Sequence, residues 1–347
     1  MTRDSTAGGL TNRPKRKPTL RTIAQMTGFA VATVSRALAD DPRIAAKTRA
    51  TVAEAARAVG YVPDRAARRL RTGRTQVVTL MLNTEHEFLG FTHEFLSGIT
   101  AGLAGTGYSV TVVPDALGAD RLDPVRTILR NRLADGLIFT RTESFDPRAR
   151  LLMEADFPFV SHGRTEFTEP HPWVDFDNES FARAAVERHV QRGRERIAFV
   201  PPSDKFTFAQ HLRYGFLSAV RAAGVGYEIA DTVTIDSPSA VVADWVRART
   251  TAPEPPDAWV CVGEATALVT LGALSDCGVL PGRDVDVISK RASPIFDNIR
   301  PRIETVFEDV RLTGKTMAKM LVRRMQGEDP AMLHHLFSAE PDFALEP

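Results

Sequence analysis

Cysteine is nearly missing from this 347-residue chain, with only Cys261 and Cys277, so no disulfide framework holds it together. Neither lies in a CxxC pair or beside histidines at metal-ligand spacing, and the eight histidines form no HExxH motif. A GxSxG nucleophile elbow is also lacking. No apolar run approaches the ~18 residues that a membrane-crossing helix needs, and no secretory leader pattern opens the sequence. These absences argue against a secreted disulfide scaffold, a membrane protein, a zinc hydrolase and a serine esterase. They make a reducing cytoplasm the expected home, with no cofactor and no metal. GLAGTG (102–107) has glycine spacing like that of a phosphate loop, but it falls late in a helical pattern, the wrong place for one.

Charge is distributed unevenly. Residues 1–75 hold 16 Lys+Arg against 5 Asp+Glu, leaving 28 against 38 for the rest, so a formal net charge of +1 hides one strongly basic end. That is the electrostatic footprint of a protein that binds a phosphate backbone. The first 18 residues, with Pro14, Pro18 and the basic run KRK at 15–17, have the composition of a disordered tail.

The basic end is also patterned. Thr19 can cap a helix whose inward stripe is Leu20, Ile23 and Ala24; Gly28 breaks it, and a second helix restarts near Ala30 with Val34 and Leu38 inward. A third helix, about Lys47 to Val59, supplies Val52, Ala55, Ala56 and Val59 to a small core. Helix, glycine turn, helix is the helix-turn-helix arrangement. The outward residues of its second helix, Val31, Ala32, Thr33 and Ser35, are small or polar and end at Arg36, which suits close approach to a major groove. Asp64 to Arg71 (DRAARRLR) then forms a short, arginine-rich helix that cannot bury enough surface to be stable alone.

The landmarks TLRTIAQMTG, VATVSRAL and TRATVAEAARAVGYVPDRAARRLRTGRT, in this order and spacing, resemble the DNA-binding headpiece of the lactose-repressor/galactose-repressor (LacI/GalR) family. The resemblance implies double-stranded operator DNA as partner. It assigns DNA contacts to Thr19, Leu20, Val31, Ala32, Thr33, Ser35, Arg36, Arg43, Lys47 and Arg49, and to Arg65, Arg68, Leu70 and Arg71 of a hinge helix. Leu70 takes the place of the leucine that wedges into the minor groove. Serine or threonine, usual in the family at two helix starts, is replaced by Ala30 and Ala45.

From Gln76 onward the pattern changes to alternating strand and helix: VVTLML, SVTVVP, LIF and FVSHG, then, past Pro170 and Pro172, a second set from WVDFD to DVDVIS. Two such sets predict two doubly wound halves with a ligand cleft between them, at the carboxyl ends of the strands. The expected fold is thus an N-terminal all-α helix-turn-helix headpiece plus an α/β periplasmic-binding-protein-like effector domain of two doubly wound subdomains. Expected boundaries are 1–18 tail, 19–62 headpiece, 63–75 hinge helix and linker, and 76–347 effector and dimerisation domain. Within the last, one subdomain is expected over about 76–163 plus 304–327 and the other over about 174–300 plus 330–347.

The effector site departs from the family pattern. Asn-Asp becomes Gly263-Glu264; Gly-Phe-Asp-Asp after DVDVI becomes Ser289-Lys290-Arg291-Ala292; an arginine aligns with Leu212 beside Arg213; an aspartate becomes Gly163, between His162 and Arg164. Asp177-Asn178 keeps its identity. The expected effector contacts are Phe91, His162, Arg164, Asp177, Arg213, Glu264, Lys290 and Arg291. The effector is expected to be a small saccharide or derivative, and the added cations leave an anionic one open. Salt bridges from Lys290 and Arg291 to Glu264 and Asp177 are the alternative to ligand contact. The resulting expectation is a homodimeric, ligand-responsive transcriptional regulator, most simply a repressor of sugar uptake or catabolism genes, and not an enzyme. A solute-binding sensor without a transcriptional role is the alternative, and it would not need the first 75 residues.

Overall fold

The computed structural model describes residues 18–62, 69, 73–83, 90–115 and 120–343. The chain divides into two compact units, one up to Arg74 and one from Thr75. Residues 1–17 of the expected tail, and Arg65, Arg68, Leu70 and Arg71 of the expected hinge helix, lie outside the described residues.

In the first unit, helices α1 (Leu20–Thr27), α2 (Val31–Ala37) and α3 (Ala46–Ala58) close over Ile23, Val34, Ala37, Val52 and Ala56. Leu38, Ala55 and Val59 pack around this core half-buried, and Ala37 takes the inner position. The Thr19 amide donates to Thr22 Oγ1 at 3.1 Å, so α1 starts on a side-chain partner. It stops at Gly28, whose φ of 73° is left-handed and cheap only for glycine. Helices α2 and α3 begin at Ala30 and Ala45, neither of which offers a side-chain cap. Ala30→Ser and Ala45→Ser should each stabilise this unit by ~1 kcal/mol. Slower amide exchange in α2 and α3 of the full chain would register the gain, whereas unchanged exchange in both variants would mean the caps are geometrically closed to serine.

The second unit contains two six-stranded sheets. The first runs β11-β5-β4-β3-β1-β2, all parallel: β1 (Val77–Leu82), β2 (Ser109–Pro114), β3 (Gly136–Phe139), β4 (Phe159–His162), β5 (Trp173–Phe176) and β11 (His334–Phe337). The second runs β12-β10-β9-β8-β6-β7: β6 (Arg196–Phe199), β7 (Gly226–Ile229), β8 (Ala258–Cys261), β9 (Asp286–Arg291), β10 (Glu304–Phe307) and β12 (Glu340–Asp342), with only β12 antiparallel. Helices α4 (Phe91–Leu103) and α11 (Val310–Met325) cover one face of the first sheet, and α5 (Leu122–Asn131) and α6 (Pro147–Glu154) the other. Helices α7 (Asn178–Gln191), α8 (Thr207–Ala223), α9 (Ser239–Thr250) and α10 (Glu264–Asp276) enclose the second sheet.

Strand membership corrects the expected subdomain limits. Strand β5 pairs with β4, and β11 pairs with β5, so 173–176 and 334–337 belong to the first half. Strand β10 pairs with β9, so 304–307 belongs to the second. The chain therefore crosses between halves just after β5, after β10 and after β11. The Asp177 amide donates to Phe337 O at 2.8 Å, tying the first crossover to the third.

GLAGTG has a structural explanation. A Cβ on Gly98 would sit 2.0 Å from Arg311 O, and one on Gly102 2.7 Å from Lys315 O, so α4 and α11 touch backbone to backbone through glycine. Gly105 and Gly107 then take positive φ in the turn that follows α4.

Candidate functional site

On the first unit, α2 turns Val31, Ala32 and Arg36 to solvent, with Thr33 and Ser35 half-buried beside them. Thr19 and Lys47 are exposed, and Leu20 packs half-buried against the core. Arg43 is exposed but engaged: its guanidinium holds Asp41 at 2.8–3.2 Å and draws that carboxyl down to about 2. Arg49 turns inward. It donates to Ile44 O at 2.7 Å and Asp41 O at 3.3 Å and pairs with Asp40 at 2.9 Å, so it braces the loop between α2 and α3. Of the expected basic contacts in this unit, Arg36 and Lys47 are thus the exposed ones that form no salt bridge within 4.0 Å among the described residues, although the Arg36 charge adds to the lowering of the Asp41 carboxyl.

The second unit has a cavity of about 650 Å³, mouth included, between its halves at the carboxyl ends of the strands, where open α/β sheets place ligands. Phe91, Thr140, Arg141, His162, Asp175, Phe208, Val262 and Lys290 line it, with Asn178 and Glu308 at the crossovers. A smaller chamber of about 280 Å³ continues past Phe91, Val262 and Lys290 to Glu264 and Arg291.

The cations here are largely neutralised. Lys290 Nζ donates to Glu308 Oε2 at 2.8 Å and Asn178 Oδ1 at 2.9 Å, over the rings of Phe176 and Phe181. It therefore staples the first crossover to the second, with Glu308 and Asn178 as partners in place of the expected Glu264 or Asp177. Arg141 Nη2 meets Asp236 Oδ1 at 2.7 Å. Arg164 Nε meets Asp175 Oδ2 at 2.9 Å, and its Nη2 lies 3.2 Å from His211 Nδ1, which must accept. Burial pushes Asp175 up to about 6, opposed by Arg164. His162 packs against Phe91 and Phe95, and loss of hydration pushes it down to about 4, so it is neutral at pH 7. Arg291 donates to Thr305 Oγ1 and stacks on Phe307, with no carboxylate within 4.0 Å among the described residues.

Glu264 is 2 % exposed. Its Oε1 accepts from the Ala292 and Ser293 amides and from Ser293 Oγ at 2.7–2.9 Å, which fixes the turn after β9. Two expected residues are placed elsewhere. Asp177 follows the end of β5 and caps α7, accepting from Ser180 N at 2.9 Å and Ser180 Oγ at 2.7 Å. Asp175 lies on β5 and Asp177 does not, because the strand ends at Phe176. Arg213 pairs with Asp204 on an outer groove of α8. In helical register it projects away from the inward Leu212. The pattern missed Arg141, Asp175 and Glu308. All three lie at or just beyond strand ends, and that placement is the one signal that would have singled them out.

Residues 19–64 match the family described as bacterial regulatory proteins, lacI family, and residues 186–341 match a periplasmic binding protein-like domain. The HTH-type transcriptional regulator CelR of Thermobifida fusca is 30% identical over 325 residues, 90% of this chain and 94% of that protein. A CelR–cellobiose complex superposes with a TM-score of 0.67 over 93% of this chain and 98% of that one at 24% identity. The lac repressor dimer bound to operator and the anti-inducer ONPF superposes with a TM-score of 0.78 over 95% and 100% at 20% identity, a likeness of fold. With its helix-turn-helix headpiece and its two-sheet binding domain, the chain belongs to the lacI family of bacterial regulatory proteins, DNA-binding transcriptional regulators and not enzymes.

Proposed function

We propose that this protein is a repressor that binds a pseudo-palindromic operator as a homodimer in the cytoplasm and responds to a small neutral saccharide. The observation that carries the ligand class is the internal pairing of the main cavity's cations; Arg291, which has no carboxylate partner among the described residues, lies in the chamber beyond it. Lys290 is spent on Glu308, Arg141 on Asp236 and Arg164 on Asp175, and His162 is neutral. An anion would find these cations already compensated. Rings of Phe91 and Phe208, with polar groups between them, suit stacking and hydrogen bonding to an uncharged sugar. The cellobiose bound to a structural relative supports the same class. Of the expected contacts, Phe91, His162 and Lys290 line the main cavity, and Glu264 and Arg291 line the chamber beyond it. On the DNA side, α2 carries Arg36 to the bases, and Arg65, Arg68, Leu70 and Arg71 act at the operator centre.

Thermal melting of the full chain with cellobiose, other neutral disaccharides, hexose phosphates and hexuronates tests the ligand class. A neutral sugar at 100 times its Kd should stabilise the effector unit by ~2.7 kcal/mol. A shift produced only by the phosphates or acids would reverse the assignment.

A further inference from the structure

The two halves of the effector unit are joined by three crossovers, yet they also meet at a place that belongs to none of them. The segment after β3 (residues 141–144) touches the segment that starts α8 (206–207). Glu143 and Phe206 form an isolated antiparallel bridge. The Thr207 amide donates to Thr142 O at 2.9 Å, and Thr207 Oγ1 donates to the same oxygen at 3.1 Å. Arg141 reaches past them to Asp236, with the two side chains 6 % and 9 % exposed. The guanidiniums of Arg121 and Arg141 lie 5.9 and 5.4 Å from the Phe206 ring centroid.

The first-half side of this contact is rigidly built. Arg141 has a φ of 55°, a left-handed conformation that costs a non-glycine residue energy and persists only where its surroundings enforce it. The enforcement is visible. The Arg141 carbonyl accepts from Arg148 Nη2 and Arg121 Nη2, each at 3.1 Å. Asp115 joins those two arginines at 2.6–2.9 Å, and Asp146 holds Arg148 at 2.7 Å while capping α6. Arg148 is 0 % exposed. On the other side, the Asp236 amide donates to Thr234 Oγ1, fixing the turn that presents its carboxylate.

Rotation of the halves about the crossovers must break this contact before the cleft can open. We propose that Arg141 and Asp236, together with Thr207 on the Thr142 carbonyl, form a latch that holds the halves closed and sets how readily the cleft admits its effector. The proposal rests on the reading of the cleft as an effector site, but its test needs no ligand. In the full-length unliganded protein, amide exchange at Thr207 reports the latch directly, and small-angle scattering reports the separation of the halves. Asp236→Asn weakens the ion pair with little change of shape. Thr207→Val removes one hydrogen bond and no charge, so it carries the test even if Asp236→Asn misfolds. Each should speed exchange of the residue-207 amide, relative to that residue's intrinsic rate, by about tenfold or more and raise the radius of gyration, with exchange in α4 and α11 unchanged. Wild-type exchange at Thr207 and wild-type scattering in the variants would overturn the latch. Failure of the saccharide reading would instead appear in the melting panel, where no sugar would shift the wild-type protein.

Discussion

Lys290→Met is expected to destabilise the effector unit by about 3–5 kcal/mol, the cost of leaving one member of a buried ion pair without its partner. Lys290 and Glu308 side chains are each 10 % exposed, and Nζ also donates to Asn178 Oδ1. Removing the ammonium strands a carboxylate and an amide oxygen at two crossovers, where neither can regain full hydration. Methionine fills the stem's volume beside Phe176 and Phe181 but donates nothing. Adding Glu308→Leu should recover most of the loss, because burying an ion pair costs desolvation that an apolar pair avoids. The three tryptophans, Trp173, Trp245 and Trp259, all lie in this unit, so fluorescence-monitored urea unfolding reads it without interference from the headpiece. Equal stability of Lys290→Met and wild type would show that the pair does not hold the crossovers. A double variant no better than the single would remove desolvation from the explanation.

Much of the architecture was legible because it is written in local period. The headpiece helices repeat apolar residues at helical spacing, and their starts fall on Ala30 and Ala45 as read. The alternation of buried strands and amphipathic helices announced the α/β unit. What was not legible depends on pairing between segments far apart in the chain. Nothing in WVDF, ETVF or HHLF says which sheet it joins, since each is a short strand whose partner is chosen by tertiary packing. The same limit governed the cleft. Lys290 and Arg291 read as ligand cations because their family counterparts lie in the pocket, but Glu308 and Asn178 meet Lys290 only in the fold. Asp175 and Asp177 differ in fate because the strand ends between them. Arg36, by contrast, needed no tertiary information, since helical register alone placed it on the outer face of α2.

That residue carries the second large effect. Arginine reads guanine through two parallel hydrogen bonds to O6 and N7, worth ~1–3 kcal/mol of discrimination, and alanine keeps none of it. Arg36 is exposed near the end of α2, whose other outward residues, Val31 and Ala32, are small enough to let the helix lie close to base edges. Arg36→Ala should therefore flatten the preference at one base pair in each half-site. Affinity for random DNA, set mainly by phosphate neutralisation, should change little, and its salt dependence should drop by a slope of no more than about one.

The most direct test of the protein as a sequence-specific regulator is selection of bound DNA from a randomised duplex library, run in parallel with wild type and Arg36→Ala over a range of salt. The account predicts that wild type enriches an inverted repeat and that Arg36→Ala loses one symmetric pair of positions from it. Wild-type protein that binds selected and random duplexes equally at every salt concentration would contradict it.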